Sequence, residues 1–150
     1  NIKFLIYGDG EDRDSLKIYC KKKKLSNIIF KQKWIEPHFV PYVLSMSNVN
    51  ILNYSGQFGK YGGSQSKLFQ YLASGKPICS NLNMMYCLIN KHNLGISKVF
   101  NSSEEYAQAI LSLINLDQRS KLEMSKRAQL VAEQFDYVSL TKKMIDVFES

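Results

Sequence analysis

The chain has 150 residues, 45% of them apolar, a length and composition that allow one domain-sized core without disulfide or metal support. The formal charge of +7 suits a phosphate-bearing partner, but no RNP, helix-turn-helix or zinc-finger pattern accompanies it, so a nucleic-acid partner is not expected. No stretch approaches the roughly 20 apolar residues that span a bilayer, and the three cysteines, Cys20, Cys79 and Cys87, lack CxxC spacing and read as reduced thiols.

In chain order, Lys3 to Tyr7 is a short apolar run closed by Gly8, Asp9 and Gly10, and Glu11 to Lys24 has amphipathic helical spacing. The opening run reads as a strand and not as a secretory leader, so a cytoplasmic protein is expected. A strand at 27–30, a helix at 37–46, a strand at 49–53, a helix at 64–73, a strand at 77–80, a short helix at 85–91 and a strand at 95–99 follow. Short apolar strands alternating with helices predict an α/β domain, its parallel sheet covered by helices on both faces. From Asn101 the pattern is helical to the end, in three segments at 103–114, 117–133 and 135–148, with Ser103 and Asp117 read as N-caps. Nothing resembles a linker or a repeat, and one domain over 1–150 is expected.

The segment from Tyr54 to Gly63 is the longest loop in the sheet region. It leaves the carboxyl end of a strand, the edge at which open parallel sheets bind ligands. Ser64 reads as the N-cap of the next helix, and Gly62 and Gly63 would let a ligand approach that helix's free amides, a geometry suited to phosphate. Lys67 falls in the first turn, where a cation opposes the helix dipole by about 0.3–1 kcal/mol unless an anion is bound. From physics alone two readings stay open for it, anion contact or solvent. Lys60 and Tyr61 lie on the loop with no readable direction, and Asp9 and Glu11 read as a solvated turn. The basic run Lys21 to Lys24 reads as a solvated helix end, with peripheral contact to an anionic membrane as its second role. His38 and His92 have no ligand-like spacing.

The segment Gly62 to Ile78, GGSQSKLFQYLASGKPI, resembles the donor-binding signature of family 4 glycosyltransferases of the capsule and lipopolysaccharide type. Ile6 to Glu11 (IYGDGE), Asn27 to Phe30 followed by a helix at Val40 and Pro41, and Phe135 to Tyr137 are similar to the family in the same order, so the resemblance covers nearly the whole chain. It implies a Rossmann-like parallel sheet with a helical C-terminal tail, one half of a GT-B glycosyltransferase. The missing parts would be an N-terminal acceptor domain and the first strand of this domain. It also implies retaining transfer from a nucleotide-diphosphate sugar to a saccharide or lipid-linked acceptor in surface polysaccharide synthesis. No cofactor and no metal is expected, and no catalytic residue is assigned.

By that resemblance Gly8 and Gly10 form a turn near the donor, and residues around Phe30 to Trp34, among them Lys31, lie beside the base. Ser64, Gln65, Ser66 and Lys67 hold the diphosphate after Gly62 and Gly63, and Gln70 faces the ribose. The family often carries glutamates where this chain has Gly62 and Gln70. A neutral amide makes weaker bonds to hydroxyls than a carboxylate does, about 0.5–1.5 against about 1.5–3 kcal/mol. A non-catalytic nucleotide- or protein-binding relative of the same fold is therefore the alternative expectation. The isolated chain is expected to lie at the inner face of the membrane if it meets one, and to be inactive.

Overall fold

The computed structural model describes residues 2–54, 66–82 and 86–150. Contacts group them into two compact units, Asn1–Val40 and Pro41–Ser150. The first contains β1 (Phe4–Ile6), α1 (Arg13–Lys22), β2 (Ile28–Phe30) and a 3-10 turn at Pro37–Phe39. At the junction lies α2 (Val40–Ser45), and the second unit then contains β3 (Asn50–Leu52), α3 (Ser66–Ser74), β4 (Ile78–Ser80), α4 (Leu88–Lys91) and β5 (Gly95–Ser97). It closes with α5 (Ser103–Ile114), α6 (Gln118–Glu133) and α7 (Tyr137–Glu149). No helix among the described residues is long and apolar enough to cross a membrane.

Every strand pairing is parallel, as strands linked through helices require. β1 pairs with β2 in the register Phe4↔Ile28, and the second unit holds a sheet of order β3-β4-β5, with Asn50↔Ile78 and Ile78↔Gly95 in register. The expected strands are present in the expected chain order, but instead of one sheet they form two, because no described strand hydrogen-bonds to both β1 and β3. Two local expectations also shift. The helix expected at 85–91 is described only over Leu88–Lys91, after an extended Cys87. The cap of α5 is Ser102 and not Ser103, because extended Ser102 lets its Oγ accept from the Glu105 amide at 3.1 Å. Asp117 caps α6 as expected.

The second unit owns the apolar core. Leu52, Leu68, Leu72, Ile78, Leu88, Ile89, Leu94, Ala128 and Val131 form one cluster that draws on β3, α3, β4, α4 and α6. Along α3 the spacing of Leu68 and Leu72 directs one stripe into this cluster and leaves Ser66, Lys67 and Gln70 exposed. Cys79 and Cys87 are buried free thiols, and burial pushes Cys79 up to about 11, so it behaves as an apolar filler.

α3 stops at Gly75, whose φ of +67° is the left-handed value that favours glycine after a helix. The same residue lies hard against α6, since a Cβ there would stand 2.3 Å from Ser125 Oγ. Gly75→Ala is expected to destabilise the chain by about 2–4 kcal/mol through backbone strain and overpacking together. Urea unfolding midpoints of parent and variant check this, with an unchanged midpoint as the contrary result.

Candidate functional site

In the first unit the carboxyl ends of β1 and β2 are bound to one another beyond the last strand residue. Lys31 N donates to Ile6 O at 2.9 Å and Gly8 N to Gln32 O at 3.3 Å, while Lys33 Nζ meets Asp9 Oδ2 at 3.0 Å. Lys33 is the main reason that the exposed Asp9 carboxyl sits below its usual value. Gly8 has φ of +110°, a turn conformation that side chains disfavour, and a Cβ at either Gly8 or Gly10 would find no atom within 4 Å. The turn therefore opens to solvent, over a hollow of about 210 Å³ lined by residues from Ile6 to Arg13 and by Leu16.

The most buried side chain of this unit is a cation. Arg13, the first residue of α1, is 8% exposed and is the sole buried residue among those described before Val40. Its guanidinium donates to the carbonyls of Gly8 and Lys31 and lies 5.5 Å from the centre of the Phe30 ring. The sequence reading passed over Arg13, although a signal was present: it is a cation in a helix's first turn, the same anomaly that singled out Lys67.

In the second unit the carboxyl ends of β3, β4 and β5 carry Asn53, Asn81 and Phe100. Asn81 uses its whole side-chain amide on one residue, accepting from Tyr54 N and donating to Tyr54 O, both at 2.9 Å. This copies a strand ladder for one step past Ser80. Tyr106 of α5 donates its hydroxyl to Asn53 Oδ1 at 2.6 Å, and burial holds its phenol up to about 12, so it remains a donor at neutral pH. A hollow of about 320 Å³ lies over these groups, with Ser102 and Ser103 at its rim.

The anticipated donor residues divide into three groups. Gly8, Gly10 and Lys31 are brought together at one edge of the first sheet, the Lys31 side chain exposed and its backbone committed to β1 and Arg13. Ser66, Lys67 and Gln70 are exposed on the first described turns of α3. Gly62, Gly63, Ser64 and Gln65, with Lys60 and Tyr61, lie outside the described residues. Asn53, Asn81 and Tyr106, at the root of that loop, were not foreseen; their contacts reach across 27 and 53 positions of sequence, beyond any local pattern. No cluster of three or more His, Cys, Asp or Glu side chains that could hold a metal occurs among the described residues.

A sequence model of the family described as glycosyl transferases group 1 matches residues 1–131. Among solved structures, WaaG, a glycosyltransferase involved in lipopolysaccharide biosynthesis, matches with a TM-score of 0.65 at 17% identity. That match covers 97% of this chain and 37% of WaaG, so the chain spans well under half of that relative's length. At such identity the likeness concerns the fold. No curated protein matches in sequence.

Asn81→Ala is expected to remove both bonds to Tyr54 and to lower stability by about 1–3 kcal/mol, two neutral hydrogen bonds' worth. Denaturant unfolding measures it; a loss below about 0.5 kcal/mol would mean that water replaces the clip.

Proposed function

The chain belongs to the group 1 glycosyl transferases, whose family model spans residues 1–131, and from that membership we propose that it binds the donor, a nucleotide-diphosphate sugar. The sugar would pass, with retention of configuration, to a saccharide or lipid-linked acceptor in surface polysaccharide synthesis. The observation that carries this reading is the exposed face of α3. Leu68 and Leu72 anchor the helix in the core and leave Ser66, Lys67 and Gln70 free to meet a ligand.

The chemistry assigned to the chain is electrostatic. As the glycosidic bond to the diphosphate breaks, negative charge grows on the leaving phosphate, and amides near Ser64, Gln65 and Ser66 with the Lys67 ammonium would stabilise it. No metal and no other cofactor is invoked for that charge. Gln70 would hydrogen-bond the ribose as a neutral partner. Gly8, Gly10 and Lys31, at one edge of the first unit's sheet, would make their own contact with a donor, and we assign the acceptor site to a part of the protein outside this chain. The exposed Lys21 to Lys24 at the end of α1 would supply any peripheral contact with an anionic membrane on its cytoplasmic side.

Gln70 also motivates the second reading, a relative that binds a nucleotide or a protein without turning over. Gln70→Glu, assayed for sugar transfer in the full-length protein, separates the two: a transferase held back by a neutral ribose contact gains activity from the carboxylate, whereas a relative that does not turn over stays inactive whatever its affinity.

Lys67→Ala is expected to weaken uridine or guanosine diphosphate binding by about 1.5–3 kcal/mol, the range for hydrogen bonds to charged groups, and less as salt rises. Lys22→Ala removes the same charge from the exposed basic run and is expected to leave the affinity close to the parent. Calorimetric titration decides, and equal losses in both variants would place the diphosphate elsewhere. In a radiolabelled-transfer assay the 150-residue chain alone is expected to give no product; robust turnover would show that it holds the acceptor site as well.

A further inference from the structure

A buried arginine is ordinarily matched by a carboxylate. Arg13 forms no ion pair among the described residues, and its position in the first turn of α1 sets it against the positive end of the helix dipole. Asp12, the cap residue, makes no side-chain cap bond. Desolvating an unmatched charge opposes folding, so its place is not explained by stability alone. The buried Nε, moreover, has no hydrogen-bond partner.

Two carbonyls and one aromatic face receive the charge, and the carbonyls are those of Gly8 and Lys31, at the carboxyl ends of β1 and β2. In a planar trans peptide the C=O and the following N–H point in opposite directions. Turning the Gly8 and Lys31 carbonyls inward to the guanidinium therefore turns the Asp9 and Gln32 amides outward. Neither of those amides donates to any group among the described residues. Both lie at the open edge of the sheet, beside glycines whose missing side chains leave space within 4 Å.

We propose that Arg13 is a positioning residue for donor binding: by holding the carbonyls of Gly8 and Lys31 it aims the Asp9 and Gln32 amides at the acceptor oxygens of the nucleotide-diphosphate sugar. This rests on the donor-binding reading above, and it adds a residue which that reading did not contain. Arginine suits this role because its rigid planar fork presents two N–H donors in fixed directions, whereas a lysine ammonium is a compact point charge on a flexible stem and fixes no such direction.

The test pairs amide hydrogen exchange with calorimetric titration of uridine diphosphate and guanosine diphosphate, on the parent chain, Arg13→Met and Arg13→Lys. Arg13→Met is expected to speed exchange at the Gly8 and Lys31 amides about tenfold, the worth of roughly one hydrogen bond, and to weaken nucleotide binding by a similar factor. The Asn50 amide, bonded to Pro77 O in the second unit, serves as the internal control and is expected to hold its rate. Arg13→Lys, the variant to rely on if the methionine chain does not fold, is expected to fall between parent and methionine in both readouts. Unchanged exchange at Gly8 and Lys31 would overturn the proposal. So would faster exchange with parental affinity, which would leave Arg13 a role in stability alone. A parent chain that binds neither nucleotide, at exchange rates that do respond to Arg13, would instead overturn the donor reading and with it the ligand assigned to these amides.

Discussion

β4 is the strand on which the second unit depends. Its three residues, Ile78 to Ser80, are buried on both faces and hydrogen-bonded along both edges, to β3 on one side and β5 on the other. A strand so placed tolerates little freedom in its neighbours. It fixes where β3 ends, and so where the loop after Tyr54 begins; it also fixes the floor against which α3 lays Leu68 and Leu72. Asn81 extends the constraint one residue further, through its paired bonds to Tyr54. The exposed turns of α3 are thus carried by a rigid base, which is what a site acting through aimed charges and dipoles needs.

The first unit is ordered by different means. No apolar residue among those described there is buried, and the residue that is buried is charged. Its edge is held by backbone bonds past the strand ends, by the pair of Asp9 and Lys33, and by the guanidinium of Arg13. Polar attachments are directional where apolar packing is not, so they can fix which way a peptide faces. An edge that presents amides as the Arg13 proposal describes would gain from that difference.

The motif that identified the family has two physical halves. Its lysine and glutamine lie on the exposed side of α3, whereas its small residue, Ser74, and its glycine, Gly75, serve the fold. Ser74 Oγ accepts from the Asn50 side-chain Nδ2 at 3.0 Å, and Gly75 ends the helix against Ser125. One run of sequence therefore encodes both an exposed polar surface and the joint that keeps that surface in place, and a resemblance in sequence does not distinguish them.

The sequence by itself determined the alternation of strands and helices, the parallel class, the caps of α5 and α6 to within a residue, and the family, because each follows from local spacing or from a contiguous motif. Period and turn chemistry act over a few residues, and such signals survive in one dimension. Tertiary structure alone decided which strands share a sheet, that Ser102 and not Ser103 caps α5, and that Asn81 and Tyr106 grip the root of the long loop. It also decided that Arg13 turns inward. An arginine on an amphipathic helix has the same local pattern whether it faces water or two carbonyls, one of them 18 residues away, and only the folded chain brings those carbonyls within its reach.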